Sequence, residues 1–131
     1  PEPAMGASAN PPHFPHPALI DAYGDGGFRF AGMSHRGSLL CLPSGVWGWD
    51  VRVAGDIDEA ALARIFAEAD RIDVLLIGAG ESFWAMPEPL RRAMSERRIS
   101  VDVMLTGAAV RTYNVMLGEN RRVAAALVAI G

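Results

Sequence analysis

Apolar positions recur along this chain with two periods, and the switches between them mark its elements. In "GFRF", Phe28 and Phe30 flank Arg29, the alternation of a half-buried strand. The Gly-Asp-Gly-Gly run at 24–27 reads as a turn before it, and "MSHRG" as a second turn after it. "SLLCLPSGVWGWDV" is extended and apolar but broken at Pro43-Ser44-Gly45. Two strands joined by a short turn there form a hairpin. The period then lengthens: Leu62, Ile65, Phe66 and Ala69 fall on one helical face. Asp56 is placed to cap that helix, and Glu59 completes a capping-box pattern.

Downstream, strands and helices alternate. "DVLLIGAG" is a short apolar strand covered on both faces, and "ESFWAM" is a loop carrying two large aromatics. Pro87 suits a helix start; Leu90, Ala93 and Met94 then face the core, with Arg91, Arg92, Glu96, Arg97 and Arg98 in solvent. "ISVDVMLTG" is the next strand. "AAVRTYNVMLG" is a third helix, with Thr106 as its cap and Gly118 at its end, and "RVAAALVAI" is the last strand. Helices that alternate with strands argue for an α/β sheet with parallel pairs and right-handed crossovers. The first 17 residues are rich in proline and small residues and show no period. They read as a flexible Pro-rich tail at 1–17 before a single domain at 18–131.

Composition narrows the function classes. The chain has 131 residues, half of them hydrophobic, with a net charge of -3, which fits one globular domain and disfavours general nucleic-acid binding. A single cysteine excludes an internal disulfide and suits a reducing compartment. No apolar run approaches the length of a membrane span, and no basic-then-apolar start resembles a secretory signal, so a cytoplasmic protein that does not span the membrane is expected. His13 and His16 lack a further ligand for a metal, and Cys41 lies within an apolar run as a buried, inert thiol.

Candidate chemistry gathers where strands should end. Gly78-Ala79-Gly80 follows a strand, but the third glycine of a dinucleotide fingerprint would fall at Phe83, and no P-loop lysine follows. Small residues there let the backbone approach another element or a small ligand. If the strands before Gly80 and Thr106 are parallel neighbours, both residues line one rim, where open α/β sheets hold ligands. Arg111 and Asn114 share a helical stripe, and Tyr113 adds a hydroxyl. A cation near a helix start opposes the helix dipole, so Arg111 has either a counter-charge or an anion to hold. Gly78, Gly80, Thr106, Arg111, Thr112, Tyr113 and Asn114 are thus a candidate small-anion or metabolite site. The structural alternative is a satisfied polar network under the sheet. There is no hydrolase elbow, zinc pattern or nucleophile–base pair, so no catalytic residue, metal or cofactor is assigned. Phe83 and Trp84, if exposed in their loop, are a candidate contact for a protein partner or a homodimer.

"IDAYGDGGFRFAG", "GSLLCLPSGVWGW", "LLIGAG" and "VDVMLTGAAVRTYNVMLGENRRVAAALVAI" together resemble domain-of-unknown-function family 498. Its eukaryotic members include a mitochondrial assembly factor of NADH:ubiquinone oxidoreductase (complex I) and an adipogenesis-associated protein. The resemblance spans about residues 19–131, and "RTYN" with the strand after it is its most specific part. It implies a three-layer α/β fold: a mixed central sheet of about five strands, helices on both faces and an added β-hairpin. It also implies a non-catalytic interaction or assembly role for a membrane-associated respiratory complex, mitochondrial in eukaryotes. Partners would be respiratory-complex or membrane-assembly proteins. The family pattern maps onto Gly78, Gly80, Thr106, Arg111, Thr112, Tyr113 and Asn114, and carries over no catalytic residue. Two positions depart from it: Leu105 stands where relatives often have aspartate, and Val110 where they often have cysteine. A cysteine-based role is thereby removed at that position. The counter-charge of Arg111 is left among Asp102, Glu81, Glu119, solvent or a bound anion.

Overall fold

The computed structural model describes residues 11–131. The proline-rich stretch before residue 11 lies outside the described residues. The described residues form eight strands: β1 (Ile20–Gly24), β2 (Gly27–Phe30), β3 (Met33–Arg36), β4 (Ser38–Leu42), β5 (Gly45–Trp49), β6 (Val74–Gly78), β7 (Ser100–Met104) and β8 (Val123–Leu127). Strands β1, β2 and β3 form an antiparallel meander. The other five form a mixed sheet in the order β5-β4-β8-β6-β7, in which β6 runs parallel to β7 and β8, and β4 antiparallel to β5 and β8.

The central strands β4, β6 and β8 are apolar nearly throughout because both faces of the sheet are covered. One face packs Leu40, Leu75 and Ile77 against Leu62 and Ile65 of helix α1 (Ala63–Ala67) and its flanks, and against Leu90 and Met94 of α2 (Glu88–Glu96). The other face packs Leu39, Cys41 and Leu76 against Ala109, Val110 and Tyr113 of α3 (Thr106–Gly118), with Phe28 and Phe30 of the meander completing that layer. The fold is therefore α/β with helices on both faces of a five-stranded mixed sheet. The added hairpin is part of a three-stranded meander.

Three local expectations differ. "MSHR" is strand β3 rather than a turn; the chain reverses at Ala31-Gly32, both at positive φ. Its side chains are mostly exposed, so no apolar alternation announces it. The first helix is not continuous from Asp56. It is broken into short 3-10 turns around α1, and Asp58, not Asp56, accepts the N–H of Ala61 at 2.8 Å. It stops at Glu68, whose carboxylate is drawn across to the β4–β5 turn, accepting the Ser44 N–H at 2.9 Å and the Ser44 hydroxyl at 2.5 Å. Finally, Thr106 is the first residue of α3 and makes no capping bond; its hydroxyl is engaged elsewhere.

Residues 11–17 continue into the described structure. His13 and Phe14 donate their N–H groups to the Val46 carbonyl at 2.8 and 3.3 Å, and the Val46 N–H donates back to Phe14 O at 2.9 Å.

Candidate functional site

Parallel pairing of β6 and β7 brings Gly78 opposite Met104, so the loops after both strands emerge at one end of the sheet. There Gly80, at φ +98°, turns its N–H onto the Thr106 hydroxyl at 2.9 Å. That hydroxyl donates onward to the Val128 carbonyl at 2.7 Å, and the Thr106 N–H donates to Gly80 O at 3.0 Å. Thr106 is fully buried. A Cβ at Gly78 would lie 2.9 Å from Thr106 Cα, so only glycine lets the start of α3 sit this close to β6. Gly78, Gly80 and Thr106 thus come together, with donors and acceptors turned toward one another rather than toward a cavity. They lock the ends of β6, β7 and β8.

The other four candidates spread around α3. Asn114 and Arg111, sharing a stripe as their spacing predicts, both meet β1. The Asn114 side chain accepts the Ile20 N–H and donates to the Ile20 carbonyl, each at 2.9 Å. Arg111 is exposed, and its guanidinium donates to the Tyr23 hydroxyl at 3.4 Å. Thr112 turns the other way, toward Met104 Sδ at 3.7 Å. Tyr113 is buried beside Cys41 in the core, and burial pushes its phenol far above the ordinary tyrosine range. Burial likewise pushes the Cys41 thiol up to about 12, so it stays protonated at neutral pH. The start of α3 is covered: a Cβ at Gly107 would come within 2.5 Å of the Tyr23 hydroxyl.

Open space at this end of the sheet lies beside the knot. A cleft of about 410 Å³ runs between the Arg52–Gly55 segment, the Ala79–Trp84 loop and the residues after β8. Phe83 stands on its rim at 88 % exposure, with Val53 at 59 %, while Trp84 is half-buried against the core. The sequence signals Phe83 through its loop position. Val53 carries a weaker signal, an apolar residue between Arg52 and Gly55 with no periodic partner. Among the described residues, no group of three or more His, Cys, Asp or Glu side chains is placed to hold a metal ion. No described helix is long and apolar enough to cross a membrane.

A family model described as a protein of unknown function (DUF498/DUF598) matches residues 20–128. An uncharacterized protein of Rhodobacter capsulatus is 38% identical over 89% of each chain. The mouse NADH dehydrogenase [ubiquinone] 1 alpha subcomplex assembly factor 3 is 31% identical over 88% of this chain, which spans 62% of the mouse protein. A crystal structure described as an outer membrane protein from Bartonella henselae superposes with a TM-score of 0.88 at 54% identity, covering 91% of this chain and all of that one. The NMR structure of the Rpa2829 protein from Rhodopseudomonas palustris gives 0.81, also at 54% identity, over 95% of this chain and 93% of that one.

Proposed function

Because the chain belongs to the DUF498/DUF598 family of proteins of unknown function, we propose that it is a non-catalytic interaction protein serving the assembly of a membrane-associated respiratory complex. The observation that carries this reading is Phe83, held out of the core at 88 % exposure beside Val53 on a cleft rim. An exposed aromatic forgoes roughly 1.5–3 kcal/mol of burial. Such residues at the edge of a concave surface are characteristic anchors for a protein partner. The class of partner comes from relatives named as complex I assembly factors, which this chain matches over most of its own length. A cytoplasmic location goes with this reading. Recovery from the outer membrane on cell fractionation, in line with the description of the Bartonella protein, would overturn that part.

The experiment is an affinity pull-down from the native host with mild cross-linking, using the wild type and Phe83→Ser. Respiratory-complex subunits or membrane-assembly proteins recovered with the wild type and lost with Phe83→Ser support the reading. Recovery of only a second copy of the chain would convert the Phe83 rim into a homodimer contact, and a blank from the wild type removes the assembly role.

A second reading, a small-anion or metabolite site, rests on Arg111. Its guanidinium is exposed, and its bonded partner among the described residues is the Tyr23 hydroxyl rather than a carboxylate. A melting-temperature screen against anions tests it: a shift present in the wild type and absent in Arg111→Ala supports it, and no shift removes it.

A further inference from the structure

Strand β5 lies at the edge of the five-stranded sheet, and its outward backbone groups need a partner or a cover. The chain supplies the cover itself. Phe14 forms an antiparallel bridge with Val46, and the two residues exchange backbone bonds. Two glycines of β5 make the space. A Cβ at Gly45 would lie 2.1 Å from Phe14 O, and one at Gly48 would lie 2.9 Å from His13 Nε2 and 3.2 Å from His35 Cε1. Over Gly48, the His13 and His35 rings meet with centroids 4.8 Å apart. One ring belongs to the covering segment and the other to β3, so this contact ties the segment to the meander.

We propose that residues 11–16 are a strap over the β5 edge that is released when His13 and His35 both become charged. The two imidazole rings pack against each other, with His35 Nε2 against the Ser38 carbonyl at 3.1 Å. When both carry a proton, two like charges face each other at ring-contact distance. The clefts that His35 lines also present Arg29, Arg36 and Arg52 against Asp25 and Asp50, and among the described residues no carboxylate bonds either ring. On the strap, His16 packs edge-on to Phe14 and adds a further titratable cation. Burial lowers the His35 pKa, the bond to Ser38 opposes that, and His13 lowers it further. A folded-state pKa below the unfolded value of 6.5 leaves the docked state unpenalised above 6.5 and weakens it as pH falls below that. The strap has little to resist with, since its residues are exposed or half-buried and its bridge involves a single residue pair.

Hydrogen exchange at the Val46 amide reads the strap, because that N–H is bonded to Phe14 O. Protection factors remove the intrinsic pH dependence of exchange. On the full chain, protection at Val46 should fall on the order of tenfold between about pH 7.5 and 5 while central-strand amides such as Leu76 hold theirs. His13→Gln should keep the protection and weaken its pH dependence, leaving the part that comes from burial of His35. Protection at Val46 that is flat with pH, or a fall that persists undiminished in His13→Gln, overturns the proposal. A parallel fall at Leu76 also overturns it, since the event would then be global unfolding.

Discussion

Asn114 treats Ile20 as a neighbouring strand would: its amide oxygen accepts the Ile20 N–H and its amide nitrogen donates to the Ile20 carbonyl, both at 2.9 Å. The pair joins the start of β1 to the middle of α3 across a separation of 94 residues. Asn114→Ala removes both bonds at a half-buried site. The expected loss is about 1–3 kcal/mol in urea unfolding, because two backbone groups lose their partner together. Asn114→Asp keeps an acceptor for the N–H but leaves the carbonyl facing a carboxylate, so it should be no milder than alanine. Leucine, similar in size, would test whether volume matters: if it restores stability, packing and not pairing holds β1.

The Thr106 hydroxyl is a second such joint, fully buried between the Gly80 N–H and the Val128 carbonyl. Thr106→Val preserves shape and removes both bonds, and the two groups then lack that partner away from water. We expect a loss of about 2–4 kcal/mol. Thr106→Ser keeps the hydroxyl and should recover most of it. Equilibrium urea denaturation of the three proteins checks the order wild type, serine, valine.

These two joints show what local pattern carries and what it does not. The apolar runs of β6 and β8, the Phe28–Phe30 alternation and the Leu90–Met94 face are legible because each reports burial within its own element, and Pro87 before α2 because its fixed φ suits a helix start. Strand β3 is not legible, because an exposed strand lacks the period that would reveal it. The break at Glu68 is not legible either, since its cause is Ser44 on another element. Threonine at a helix start looks the same whether it caps the helix or bridges two strand ends, and only the parallel registers of β6 with β7 and with β8 place Gly80 and Val128 within its reach. Around α3, the stripe shared by Arg111 and Asn114 is readable from spacing; that β1 lies against it is not.

Arg111 has no such structural duty. Its guanidinium is exposed and, among the described residues, reaches the Tyr23 hydroxyl at 3.4 Å, a long bond. Arg111→Ala should therefore change stability by less than about 0.5 kcal/mol. A thermal or urea midpoint clearly below the wild type would show an interaction that this geometry lacks. A midpoint unchanged in buffer but altered by an anion would point to ligand binding instead.

Cys41 and Tyr113 make the protein sensitive to alkali. Burial raises the thiol from 9.0 to about 12, and the neighbouring phenol is raised by burial and by the thiol beside it. A group whose folded pKa lies above its unfolded value contributes fully below the unfolded value, and that contribution is lost as pH rises toward the folded one. For the thiol the window therefore opens near 9.0 and closes near 12. At pH 10 the unfolded thiolate alone should cost the folded state on the order of 1 kcal/mol, and the phenol adds to it in the same direction. The urea midpoint should accordingly hold steady from about pH 7 to 8.5 and fall above it. Cys41→Val with Tyr113→Phe should flatten that fall even if it lowers the midpoint at pH 7 through altered packing, because neither new side chain ionises. A double variant as steep in alkali as the wild type would place the sensitivity outside the layer beneath α3.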